Sequence, residues 1–200
     1  MFSRRIVCFA PLLFATCFIA DSGRDVRADI LPTSNIPNVT QVGSGQWRYT
    51  WSVQVSNSQQ VNFNDFFTLY DVAGYVSGSA LAPTDWVASV QNTGITPTGV
   101  TPIDSATVPN VTFTWCGPNS LIGPQILGNF SIVSIYPNPV IGSRNFAGRG
   151  TQQNTGLPNA NLTNVATPSA TPEPGSVILM GLGLCGAARL RRRKKVQTTG

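Results

Sequence analysis

The sequence contains no histidine, and only 10% of its 200 residues are charged. Without histidine, the chain cannot build a Ser-His-Asp or Cys-His catalytic set, nor a zinc or iron site that uses imidazole ligands. Lysine is absent between residues 29 and 170, and no glycine-rich phosphate loop with a lysine occurs. These absences exclude the commonest catalytic and cofactor-binding constellations, so the sequence predicts no cofactor and no enzymatic activity.

The formal net charge of +5 does not describe the middle of the chain, because most cations lie near the two ends. Between residues 29 and 170 three arginines oppose five aspartates, which gives 3 − 5 = −2: Arg48, Arg144 and Arg149 against Asp29, Asp65, Asp71, Asp85 and Asp104. Nucleic-acid binding requires cations clustered on one folded face. The sequence therefore predicts no nucleic-acid partner.

The N-terminal residues have the three-part pattern of an export signal. The positive start MFSRR precedes an apolar run of 15 residues, Ile6 to Ala20, which is the length of a signal-peptide core and short for a membrane span. Val26 and Ala28 place small or aliphatic residues before a cleavage site between Ala28 and Asp29. Residues 1–28 are therefore predicted to be a signal peptide, with an uncleaved N-terminal anchor as the alternative.

Residues 29–150 read as one β domain. GQWRYTWSVQV alternates strictly, with Trp47, Tyr49, Trp51, Val53 and Val55 on one face, which is typical of a half-buried strand. Further strands are predicted in VNFNDFFTLYDVAGYV (two segments or one bulged strand, with Val61 and Phe63 on one face), DWVASV, VTFTWCG and NFSIVSIY. Frequent turn residues separate them, and no segment has helical spacing. The pattern favours an all-β fold with a single β-sandwich, Ig-like or jelly-roll-like.

Residues 151–171 are rich in Gly, Asn, Thr, Pro and Gln, with scattered apolar residues. This composition predicts a flexible linker.

Two groups of side chains within the β domain invite a functional interpretation. Asp65 and Asp71 are candidates for the carboxylate pair of a hydrolase, although isolated aspartates on strands are usually turn and edge residues. Four tryptophans, with Tyr49 and Tyr75 as weaker candidates, could stack on sugars, although alternating aromatic residues on a strand usually form a core: Trp47, Trp51, Trp86 and Trp115. Calcium bound by turn carboxylates is a third option, but no acidic loop is dense enough to favour it.

The cysteines and asparagines of the sequence give little further indication of function. Cys8 and Cys17 lie in the predicted signal and Cys185 in a later apolar run, so Cys116 is the one cysteine of the β domain and is expected to be buried. Four asparagines match the N-glycosylation pattern, which matters only in a host that glycosylates: Asn38, Asn110, Asn129 and Asn161.

A second apolar segment, Gly175 to Leu190, has 16 residues, no acid and one interruption at Arg189. As a helix it would measure about 24 Å, short of the ~30 Å hydrocarbon core, so it predicts a short transmembrane helix. Five consecutive cations follow and mark the cytoplasmic side: Arg191, Arg192, Arg193, Lys194 and Lys195.

The order Pro172-Glu173-Pro174, apolar segment with Gly-Leu-Gly-Leu, and arginine cluster resembles the PEP-CTERM sorting signal of exported bacterial proteins. The resemblance assigns residues 172–195 to the signal and 196–200 to a tail. It implies that an exosortase, a membrane enzyme carrying its own nucleophile, recognises Pro172, Glu173 and Pro174, so that Cys185 is not catalytic. DFFTLYDVAGYV, NVTFTWCGPN and ILGNFSIVS also look like the body of a subgroup of these proteins, which often accompany exopolysaccharide loci.

Together these features predict a non-enzymatic exported protein of the bacterial cell surface or extracellular matrix. It would cross the inner membrane once before processing and then reach the envelope or the exterior, with exosortase, the membrane and exopolysaccharide as candidate partners. Two alternatives stay open: a carbohydrate-binding surface module, and a simple single-pass anchor that is never processed.

Overall fold

The computed structural model describes residues 30–170, and within that range it contains β-strands and no helix. The predicted signal helix, the cleavage site at Ala28 and Asp29, and the predicted transmembrane segment lie outside the described residues. The all-β prediction is confirmed for the described part of the chain. The strands are β1 (Ile30–Pro32), β2 (Asn38–Gly43), β3 (Gln46–Val55), β4 (Gln59–Val61), β5 (Phe66–Leu69), β6 (Trp86–Gln91), β7 (Asn110–Trp115), β8 (Leu121–Ile122), β9 (Gln125–Ser134), β10 (Pro139–Ile141), β11 (Phe146–Gln152), β12 (Pro158–Thr163) and β13 (Ala166–Pro168).

The first sheet is built on β3, the strand with the clearest alternation. β9 pairs antiparallel with it along nearly its whole length, from Trp47 opposite Ser134 to Val55 opposite Gln125. β1 and β2 pair with the other edge of β3, β1 at residues 53–55 and β2 at residues 46–50. The face predicted to be apolar is the buried one: Tyr49, Trp51, Val53 and Val55 are buried and Trp47 is half-buried.

The second sheet has seven strands in the order β6-β7-β5-β11-β4-β8, with β12 also pairing β11. Of the two predictions for VNFNDFFTLY, the structure shows the two segments: β4 and β5 are separated by a turn at residues 62–65. Val61 is buried but Phe63, which lies in that turn, is 64% exposed. The expectation that Val61 and Phe63 share a face was therefore wrong, because Phe63 is not part of a strand.

An aromatic cluster joins the two sheets. Phe67 of β5 packs against Phe113 and Phe146 in its own sheet, with ring centroids 5.2 and 5.3 Å apart. Phe130 of β9, from the first sheet, meets Phe67 edge to face at 4.8 Å and also contacts Trp86. Such edge-to-face and offset contacts add to the burial of aromatic area. The two sheets therefore form a sandwich around one shared core.

The linker prediction for residues 151–171 was wrong for the part that the structure describes. β12 pairs with β11 from Phe146 opposite Thr163 to Thr151 opposite Pro158. β13 pairs with β10, and all three of its residues are buried. The sequence did not predict β12 as a strand, because it buries the polar side chain of Asn161 and shows no apolar alternation. The β domain thus continues to residue 168.

Asn145 fixes this last part of the chain to the sandwich. Its buried side-chain amide donates to the Val165 carbonyl at 2.9 Å, and its Oδ1 accepts from the Val165 backbone N–H at 2.8 Å. The Asn145 carbonyl accepts from the Tyr70 N–H at 2.9 Å. One side chain thereby satisfies both backbone groups of Val165 at the approach to β13.

Replacing Phe67 with alanine should lower the free energy of unfolding by about 3–5 kcal/mol, the range for large-to-small changes in a packed core. The matched control is Phe63→Ala, because that ring is exposed and its loss should change stability by less than about 0.5 kcal/mol. Chemical denaturation of both variants measures the difference. Equal effects would show that the cluster around Phe67 does not carry the core.

Asn145→Ala should destabilise the domain by about 1–3 kcal/mol, because it leaves the buried Val165 N–H without its partner and the Val165 carbonyl with the Gly142 N–H alone. Limited proteolysis should then cut first within residues 158–170. Asn57→Ala, at an exposed turn position, is the control and should leave both readouts unchanged. If proteolysis of the Asn145 variant began elsewhere, the proposed role of this amide would be incorrect.

Candidate functional site

A concavity lies on the outer face of the second sheet. The loop that follows β6 folds over this face and is held there by Thr68, whose hydroxyl bonds the Ile95 carbonyl at 2.9 Å and the Thr112 hydroxyl at 2.8 Å. Because the loop covers this face, Thr112 is buried, although alternation alone placed it on the solvent side. Between the loop and β12 runs a groove in two adjoining parts, of about 840 and 490 Å³.

The groove lining mixes polar and apolar residues and carries two arginines. Its two parts share Thr98 and Pro158–Ala160, and each contains one arginine, Arg144 in the larger part and Arg149 in the smaller. Arg144 donates to the Thr101 hydroxyl at 2.9 Å, which directs it along the loop. The lining residues include no carboxylate and no cysteine. The groove therefore offers cations, amides and hydroxyls for binding but no nucleophile paired with a base.

Asp65 lies behind the groove and has a structural set of partners. Its side chain is only 2% exposed and lies 3.7 Å from Arg149 Nε. Its Oδ2 accepts from the Asn62 N–H at 2.8 Å and from the Thr151 hydroxyl at 2.9 Å. These contacts join the turn between β4 and β5 to β11.

Burial dominates the electrostatics of Asp65. Desolvation raises the pKa of its carboxyl above the usual range, while the bonds from Asn62 and Thr151 and the charge of Arg149 act in the opposite direction. Desolvation likewise raises the pKa of Asp71, with a further increase from Asp104 and a decrease from the Ser105 N–H. Both carboxyls are therefore protonated more readily in the folded state than in the unfolded chain.

The carboxylate-pair hypothesis is not supported by the geometry. Asp65 and Asp71 flank β5 at opposite ends, which separates them by about 20 Å at the rise of an extended strand. Asp71 instead accepts from the Ser105 N–H at 2.9 Å and belongs to a polar network with Asn110 and Asp104. The two aspartates are turn residues that hold loops, which was the alternative interpretation.

The tryptophans do not form a sugar-stacking platform. Trp51, Trp86 and Trp115 are buried in the core, and Trp47 is half-buried against it. Tyr49 is also buried, and its hydroxyl donates to the Tyr136 carbonyl at 2.8 Å. Tyr75 is partly buried against the core. Alternating aromatic residues here serve the packing of the sheets.

The remaining sequence candidates divide by exposure. Asn38 and Asn129 are exposed, whereas Asn110 and Asn161 are buried and inaccessible to a glycosylating enzyme in the folded domain. Cys116 is exposed, so its predicted burial was wrong: it follows the end of β7, where the chain leaves the sheet.

Residues 30–170 contain neither a metal-binding cluster nor a membrane-spanning helix. No group of three or more Cys, Asp or Glu side chains is placed to hold a metal ion. No helix with the length and apolar character needed to cross a membrane occurs in this range.

The predicted sorting residues follow directly after the described chain. β13 ends at Pro168, and the Ser169 N–H still donates to the Asn138 carbonyl at 3.2 Å. The motif and the basic cluster lie outside the described residues: Pro172, Glu173, Pro174, Arg191, Arg192, Arg193, Lys194 and Lys195. Only Ala170 and Thr171 separate Ser169 from the motif.

Comparison with known proteins identifies this segment. The family model for the PEP-CTERM protein-sorting motif matches residues 170–194. No curated protein matches the chain. The match covers the tail alone, so the β domain is described by its own structure.

The Asp65 carboxyl should make the domain more stable in mild acid than at neutral pH. A folded-state pKa above the unfolded value contributes stability that is fully present below the unfolded pKa of about 4, and that is lost as the pH rises through the folded-state pKa. Asp65→Asn should therefore flatten the decline in the free energy of unfolding between about pH 4 and pH 7. Denaturant titrations across this range test it, with the exposed Asp85→Asn as control. A variant at residue 65 that declines as steeply as the unmodified protein would contradict the assignment.

Proposed function

Starting from the PEP-CTERM sorting signal that the chain carries at residues 170–194, we propose that this is a non-enzymatic protein of the bacterial surface or extracellular matrix, delivered there by exosortase processing. The motif marks an exported protein that passes through the membrane and is recognised by an exosortase. The tail is therefore an address, and the β domain is what is delivered.

The order of the tail residues supports a membrane step before processing. Glu173 is the sole glutamate of the sequence and lies between two prolines, and a residue that precedes proline prefers extended backbone angles. The short apolar segment after it would stop in the membrane, with the cations of residues 191–195 on the cytoplasmic side. A glycine-containing segment of 16 residues is better suited to a temporary stay than to a permanent anchor.

The chemistry of the β domain supports a non-enzymatic role. The chain has no histidine, and its two buried or partly buried aspartates at positions 65 and 71 are engaged in holding turns. The groove presents arginine, amide and hydroxyl groups without a neighbouring nucleophile and base. Binding or assembly is therefore the activity that we assign to the delivered domain.

A carbohydrate-binding module is the second candidate, and it would have to use the groove. Burial removes three of the four tryptophans from consideration. Arg144 and Arg149 could pair with acidic sugars, and the surrounding amides and hydroxyls could bond neutral ones. An exopolysaccharide partner thus remains part of the proposal, located at the groove.

The address is tested by the mass of the protein in its native host. The unmodified protein should end near Pro172–Pro174, with or without an added group, and should leave the inner-membrane fraction. Glu173→Gln, and separately deletion of residues 191–195, should leave a chain intact to Gly200 in the membrane fraction. Asp85→Asn, which also removes one negative charge, should be processed normally.

Two results would contradict the proposal. Normal processing of both tail variants would show that an exosortase does not recognise the motif. An unmodified protein that keeps its tail to Gly200 in the membrane would instead be a simple single-pass anchor.

A further inference from the structure

β10 is an apolar strand that projects from the sandwich. Its three residues, Pro139–Ile141, are all exposed, although its partner β13 is entirely buried. Val140 is 51% and Ile141 55% exposed, and Ile135, just before the strand, is 50% exposed. On the other side of β13, Ala166 donates to the Asn35 carbonyl at 2.7 Å, and the next residue, Ile36, is exposed as well. We call Ile36, Ile135, Val140 and Ile141 the exit patch.

The chain leaves the domain beside the exit patch. Pro168, the last residue of β13, is opposite Pro139 in the strand register. Ser169 is then held by the Asn138 carbonyl. The position from which the sorting signal departs is therefore fixed next to β10.

The remaining tether is short. From Ser169 to Gly175, where the apolar segment begins, the chain advances six residues, which span at most about 20 Å when fully extended. The apolar segment is itself too short for the ~30 Å hydrocarbon core, so its ends are drawn inward and the tether shortens further. While the tail is in the membrane, the exit side of the domain stays close to the bilayer.

The charges of the chain between Asp104 and Glu173 favour contact of this stretch with a lipid surface. No aspartate or glutamate occurs between Asp104 and Glu173. Two arginines lie in the same stretch, and Arg144 is exposed three residues after Ile141. Tyr136, next to Ile135, is a residue type enriched at membrane interfaces. No acidic side chain in this stretch would repel anionic headgroups.

We propose that the exit patch rests on the outer surface of the lipid bilayer while the tail is inserted, with its apolar side chains among the headgroups. The proposal rests on the proposed function, because it requires the tail to enter the membrane. It assigns the domain a fixed orientation at the stage when the sorting motif is read. A patch of isolated apolar residues without this tether would carry no such assignment.

The test uses residues 29–200, the chain that remains after removal of the predicted signal peptide, with Cys116 and Cys185 replaced by serine and one nitroxide label at Ile141→Cys. The matched control is Ile122→Cys, which is also on a short strand and 51% exposed. It lies at the other end of the sandwich. Strand β11 begins at Phe146, next to Asn145, and runs roughly 17 Å to Thr151. Thr151 pairs with β4, and β4 pairs with β8, which contains Ile122.

Both labelled proteins are reconstituted into vesicles of phosphatidylethanolamine and phosphatidylglycerol, and flotation confirms that the tail holds them there. Collision of the label with oxygen, which concentrates in lipid, is compared with collision with a water-soluble nickel chelate. We expect the ratio of oxygen to chelate accessibility to be several-fold higher at position 141 than at 122. Chemical denaturation of both labelled chains verifies that each is folded.

The outcomes separate this inference from the proposed function. Equal ratios at the two positions, in protein that floats with the vesicles, would overturn the exit-patch proposal and leave the sorting proposal intact. Spin–spin broadening at position 141 would show that a second copy covers the patch, which also overturns it. Failure to float would remove the membrane step from the proposed function, and this inference with it.

Discussion

The fold depends on the contact between Phe130 and the aromatic rings of the opposite sheet. Phe130 is the one ring from β9 that reaches Phe67, Phe113 and Trp86 among the ring contacts of residues 30–170. Salt bridges cannot replace this contact, because the same residues contain a single ion pair, between Arg149 and Asp65. A domain with so few charges must obtain its stability from apolar burial and backbone pairing. The position of every loop at the groove and at the chain exit follows from that packing.

The parts of the fold that the sequence predicted are those where burial and alternation coincide. β3 and β7 each place aromatic and aliphatic residues at every second position, and these side chains form the core. The split between β4 and β5 was less visible, because Phe63 is aromatic yet lies in a turn. Turn geometry, which periodicity does not encode, decided that position.

The last strands were not predicted because their buried positions include polar residues. Asn161 is buried in β12, where its side-chain amide makes no hydrogen bond with residues 30–170. Asn145 binds Val165 through two bonds that join residues 20 positions apart. A single sequence shows such residues only as asparagine in a polar stretch, which is also the composition of a linker. The groove was invisible for the same reason, since its lining comes from β11, β12 and a distant loop that only folding brings together.

The extent of the β domain constrains the processing of the tail. Because β13 ends at Pro168 and Ser169 is still hydrogen bonded, a cut at the motif leaves every strand of the described domain intact. A cut before Ala166 would expose the buried face beneath β13 and leave β10 without its partner. The sandwich therefore sets an upstream limit to cleavage. Only two residues, 170 and 171, separate Ser169 from the motif at which an enzyme would cut. On the proposed function, an enzyme that cuts at the motif would work close to the surface of the folded domain, so the orientation of that domain would affect the sorting step.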